Sequence, residues 1–100
     1  MKLVLLSADS APSVYSVPDI VAENLSEYCI EFCGKWLHTS EHAQKYRAHG
    51  VVCYNEIDFV EYLNKWVFPN EHTTLAETLD GVNNASELPE KYRNLEWFNF

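Results

Sequence analysis

Residues 16–39 read SVPDIVAENLSEYCIEFCGKWLHT, and this stretch decides the fold. Val21, Leu25, Tyr28, Cys29, Phe32, Cys33, Trp36 and Leu37 recur at steps of four, three and one. That is the 3.6-residue period of a core-facing helical stripe. Pro18 suits a first helical turn, where its missing N–H costs nothing. Ser16 followed by Asp19 resembles a capping box, and Asp19 places negative charge at the positive end of the helix dipole. The opposite face carries Glu23, Glu27 and Glu31, four residues apart. Each such step rises about 6 Å, so one continuous helix would align these carboxylates as a ridge. Glu31 and Lys35 have the favourable i,i+4 order for an ion pair. The stretch therefore predicts one long amphipathic helix, with the rest of the chain laid against its apolar side.

The flanking segments supply partners for that side. Residues 2–7 (KLVLLS) form a short apolar run, the pattern of a strand buried on both faces in the middle of a small sheet. Residues 8–16 are rich in Ser, Asp and Pro and read as a loop. Ser40 is placed to cap a short helix over residues 41–48, and Gly50 to end it in a left-handed turn. Residues 51–54 (VVCY) read as a second strand. Asn55 and Asp58 form a box-like start for a second strong helix over residues 56–68, whose stripe is Phe59, Val60, Leu63, Trp66 and Val67. Glu61 and Lys65 pair outside it, and Pro69 ends it.

Beyond Pro69 the pattern is mixed. Leu75 and Leu79 suit a helical turn, while Thr73, Thr74 and Thr78 suit an edge strand. Asp80-Gly81 and Asn83-Asn84 mark turns. The stretch LEWFNF, residues 95–100, would expose much apolar surface if loose, so Trp97, Phe98 or Phe100 should dock on the core or on a partner. The expected fold is a single α/β (α+β) domain over residues 1–100. It is a small two-layer sandwich of two or three strands against the long helix and a second, shorter one. A helical bundle decorated by a hairpin is the alternative.

Composition narrows the function classes. The chain has 100 residues, 47% hydrophobic and 14% aromatic, which is too apolar for a disordered segment. Fifteen acidic residues against seven basic ones give a net charge of −8. Direct phosphate-backbone binding needs a Lys/Arg surface and is not expected, whereas attraction to a basic protein is. The apolar run at residues 3–6 is shorter than the roughly seven residues of a secretion signal, and no stretch has the length of a membrane span. Three cysteines, two on the buried stripe, do not form a disulfide framework. A cytoplasmic, soluble protein is the expectation.

Motifs for chemistry are weak. Cys29, Cys33 and Cys53 lack a CxxC knuckle, and C-x3-C coincides with the core stripe. His38 and His42 have i,i+4 spacing with His49 near, but the sequence is HTSEH and not HExxH. They read as surface histidines near helix ends. Ser7, Ser10 and Ser13 lie near Asp9 without a nucleophile elbow. Gly34, Gly50 and Gly81 are isolated, so there is no phosphate loop. No catalytic residue, metal ligand or cofactor is assigned. The remaining candidate is the acidic face of Glu23, Glu27 and Glu31, extended by Asp58 and Glu61 on the second helix. Such a row imitates phosphates, and it displaces ions from a basic groove. The expected function is a non-enzymatic protein-binding module that occupies the nucleic-acid groove of a basic protein. Phage and mobile-element inhibitors of this kind, anti-CRISPR proteins and other DNA mimics, are often small and acidic. The alternatives are a homo-oligomeric structural protein, with Trp36, Trp66 and the aromatic tail at a homodimer interface, and a small Cys/His metal-binding protein.

Overall fold

The computed structural model describes residues 1–100, with the side chains of all but Ala48 and His49. It is a mixed α+β domain built on a four-stranded sheet. The strands are β1 (Lys2–Ser7), β2 (Ser13–Val17), β3 (Thr74–Thr78) and β4 (Trp97–Asn99), in the order β3-β2-β1-β4. β1 pairs antiparallel with β2, Lys2 opposite Val17 and Val4 opposite Tyr15. It pairs in parallel with β4, Leu5 opposite Trp97. β2 pairs antiparallel with β3, with an irregularity in register between Val14 and Tyr15. β1 is thus an interior strand, as its apolar run predicts.

The period-2 alternation of β1 and β2 sorts their side chains to two cores. Val4, Leu6, Tyr15 and Val17 join the helices in one. Leu5 and Val14 face the other way, onto Leu79, Val82, Leu88 and Tyr92. The helical side begins with α1 (Asp19–Glu23) and continues as α2 (Leu25–Ile30), a π-helical stretch (Glu31–Trp36) and α3 (Leu37–Thr39). A long 3₁₀ stretch (Glu41–Gly50) follows. The last helix, α4 (Glu56–Tyr62), runs on as π-helix (Leu63–Val67). No helix among the described residues is long and apolar enough to cross a membrane.

Several expectations are corrected. The single helix over residues 16–39 is divided at Asn24, which leaves the helical region with φ −135° and ψ 40°. Ser16 belongs to β2, and the helix starts after Pro18 with no side-chain cap. The supposed loop before it contains β2, so four strands form where two or three were expected. The stretch VVCY is not a strand. It runs irregularly on the helical side, where Cys53 donates its backbone N–H to the Tyr46 carbonyl and Tyr54 packs on Phe32. The place beside β1 is filled by β4 instead. The β-branched Val51 and Val52 satisfy local strand propensity, but pairing partners decide strands.

The π-helical stretches have a packing cause. Phe32 and Leu37 are five residues apart and both fully buried. An α-helix would turn one of them away from the core. The i→i+5 bond from Leu37 N–H to the Phe32 carbonyl brings both inward. The second helix repeats the device, with Phe68 N–H donating to Leu63 at 2.7 Å. Phe32 then lies at the centre of an aromatic cluster, 5.1 Å from Tyr62, 5.5 Å from Phe59 and 5.9 Å from Phe100 between ring centroids. Phe100 docks on the core, as the aromatic tail predicts. Trp97 hydrogen-bonds through Nε1 to Ser7 Oγ at 2.9 Å, and Ser7 Oγ donates to Asn99 Oδ1 at 2.8 Å.

Candidate protein-binding groove

The break at Asn24 shapes the surface of the first helical segments. The Asn24 side chain donates from Nδ2 to the Ile20 carbonyl one turn back, at 3.0 Å. Its backbone N–H bonds Val21, and its carbonyl accepts from Tyr28 N–H, so the helix resumes at once. Ile20, Asn24, Glu27, Tyr28 and Glu31 then share one side of the two segments, at helical spacing. With Tyr62 from α4 they line an open groove of about 380 Å³. Tyr62 is held by its ring, which packs between Phe32 and Trp36 at centroid distances of 5.1 and 4.9 Å. Burial, then the negative charge of Glu31 and the neighbouring Tyr28, raise the pKa of its phenol above the ordinary value.

The five predicted acidic residues end in different places. Glu27 and Glu31 stand on the groove. Glu27 pairs with no cation among the described residues. Glu31 has only the exposed Lys35 at 3.9 Å, a surface pair of little energy. Glu23 sits beside Glu27 and Glu96 on an adjoining shallow recess and pairs with Lys2 at 3.1 Å. Asp58 is engaged in the capping box of α4, where it accepts from Asn55 N–H at 2.9 Å. Glu61 lies between Lys45 at 3.4 Å and Lys65 at 3.7 Å. The acids of α4 are thus committed locally, and the open carboxylates belong to α2 and the stretch after it. Sequence periodicity placed Tyr28 in the core stripe and left Tyr62 out of the α4 stripe. Both are groove residues, and the signal for them is an amphipathic ring at the edge of an apolar stripe.

The lysines and arginines all have partners, Lys35 and Lys2 on the acidic face itself and the rest away from it. Besides the lysines already named, Arg47 donates to the Leu37 carbonyl at 2.8 Å and Arg93 to the Leu88 carbonyl at 3.2 Å. Lys91 lies over the Tyr92 ring. The groove lining itself contains no cation.

The other chemical candidates stand apart. Cys29 is buried, which pushes its thiol pKa up, Cys33 is half-buried and Cys53 exposed, and all three are free. No group of three His, Cys, Asp or Glu able to hold a metal occurs among the described residues. His42 stacks on Trp66 with ring centroids 3.9 Å apart, and His38 is exposed. The side chain of His49 lies outside the described residues. No family model, curated protein or solved structure matches the chain.

Proposed function

We propose that the chain is a non-enzymatic protein-binding module that engages a basic surface through the face carrying Glu27, Glu31 and Glu23. Its most specific form is an inhibitor that occupies the nucleic-acid groove of a basic partner, in the manner of phage-borne DNA mimics and anti-CRISPR proteins. One observation carries this reading. Glu27 and Glu31 border a groove whose lining contains no cation, and of the lysines and arginines only the exposed Lys35, 3.9 Å from Glu31, reaches it. Such a surface attracts positive partners over a Debye length and loosens its hold as salt rises. The three free thiols support the reducing interior of a cell as the place of action.

The test is capture of the partner from nuclease-treated lysate of the source cell, at low and high salt, with wild type and with E27K/E31K. Both positions are exposed, so the double variant keeps its far-UV circular dichroism. It should lose at least about tenfold in retained partner, equivalent to about 1.4 kcal/mol. Capture by a folded E27K/E31K protein at the wild-type level, unaffected by salt, contradicts the proposal.

A further inference from the structure

The acidic groove has a neighbour of opposite charge. Beyond Tyr62, a second and narrower recess is lined by Trp36, Lys45, Tyr46, Glu61, Lys65 and Trp66. Tyr62 borders both recesses, so they adjoin on one face. In the second recess two lysines share a single carboxylate, Glu61, at 3.4 and 3.7 Å, which leaves a positive charge over. The groove on the other side has two carboxylates and no cation in its lining. These charged side chains are exposed, so their present pairs are weak and can be exchanged for others at little cost. Each half also carries an exposed apolar side chain. Ile20, 49% exposed, stands beside the acids, and Trp66, 44% exposed, beside the lysines. His42 stacks on the Trp66 ring at 3.9 Å and holds the indole in place.

We infer that this face binds a second copy of the chain, in a two-fold symmetric dimer with Tyr62 near the axis. A two-fold interface sets one patch against itself after half a turn, so the patch must be complementary to its own reverse. An acidic half and a basic half that adjoin at one ring meet that need. After the half turn, Glu27 and Glu31 of one protomer face Lys45 and Lys65 of the other, twice over, and Ile20 lies against Trp66. The net charge of −8 on each chain opposes the approach. That repulsion is spread over the whole surface, and salt at about 0.15 M screens it beyond about 8 Å while the close pairs persist. The dimer requires no other partner, yet it uses the same acidic side chains. It covers Glu27 and Glu31, so a basic protein and a second copy exclude each other.

Sedimentation equilibrium of the full chain tests the dimer, with two charge-reversed variants, E27K/E31K and K45E/K65E. The wild-type mass should climb from one chain towards two between about 10 and about 500 μM, the behaviour of a small, transient interface. Each variant alone sets like charges against like. Each should stay a single chain over that range, with its far-UV circular dichroism unchanged. Mixed in equal amounts, the two variants restore opposite charges at both contacts and should associate at least as tightly as wild type. A wild-type mass of one chain throughout overturns the inference. So does a dimer whose mass neither variant changes, and so does a mixture of the two variants that stays monomeric. Partner capture separates the dimer from the reading that the chain binds a basic protein. K45E/K65E keeps the acidic groove, so it should capture such a partner at least as well as wild type while failing to dimerise. Capture undiminished in E27K/E31K, with the variants dimerising only when mixed, supports the dimer and removes the basic-partner reading. Capture lost in E27K/E31K, with wild type a single chain throughout, overturns the dimer and leaves the basic-partner reading standing.

Discussion

Phe32 bears more of this structure than any other side chain. It is fully buried, and five other aromatic rings surround it within 6 Å. Phe32→Ala should cost about 3–5 kcal/mol in urea unfolding, the range for a large aromatic lost from a packed interior. A loss below about 1 kcal/mol would mean the cluster closes over the gap or is not formed. The tyrosines make a second prediction. Burial raises the pKa values of Tyr15, Tyr46, Tyr54 and Tyr62 above 10 in the folded state. The folded protein then holds more protons than the unfolded chain above pH 10. Their contribution is complete below that pH and is lost as pH rises through the folded values. Phenolate absorbance followed beside far-UV circular dichroism should show these tyrosines ionising late and together with unfolding. A single step near pH 10 with the fold intact would contradict the assignment. The burial of Phe32, Cys29 and Leu37 was legible in the sequence because the 3.6-residue period repeats there. Tyr62 was not, since a ring with one polar atom satisfies both a core and a groove, and only its neighbours decide.

At the level of elements, α4 was the most legible. Asn55 caps it, with Oδ1 accepting from Ile57 N–H at 3.0 Å and Asp58 N–H at 3.2 Å, and Asp58 answers to Asn55 N–H. Asn55→Ala should therefore cost about 1 kcal/mol in denaturant unfolding. Asp58→Ala should cost a similar amount by breaking the same box, and a neutral result for both would remove the cap from the stabilising features. The first helix was legible only as an apolar face. Its division at Asn24 and its π-helical stretch follow from Phe32 and Leu37 meeting the same core, which no local signal encodes. The exchange of VVCY for SVYSV as the second strand has the same origin. Residues 13–17 lie a short turn away from β1, closed by Asp9 in the left-handed region at φ 58°, and a near neighbour is the easier one to pair. β3 fulfilled the strand alternative of its mixed signals, at the sheet edge where Leu75 is 56% exposed. Glu61 shows the limit for the acidic face: its pairing with Lys65 is written in the helix spacing, that with Lys45 only in the packing.

For the whole molecule, charge is the property read most directly from composition. Fifteen acids meet seven bases, and the bases are all engaged, so the surplus repels itself over the surface. Screening should relieve this. Raising NaCl from about 10 to about 200 mM at neutral pH should stabilise the protein by a few tenths of a kcal/mol to about 1 kcal/mol, read as a higher urea midpoint. A lower midpoint would show that the local ion pairs outweigh the general repulsion. The pairing of β1 with β4 has a further consequence, in time rather than in energy. Ser7 and Asn99 are bonded across 92 positions, whereas β1 and β2 form a local hairpin. Closing so distant a contact slows folding and places it after the local steps. A ribosome-bound chain cannot seat Phe100 against Phe59 until residues 97–100 have emerged. The β1–β2 hairpin can therefore form before β4 is available to flank it, and the Phe100 side of the aromatic cluster closes after the rest.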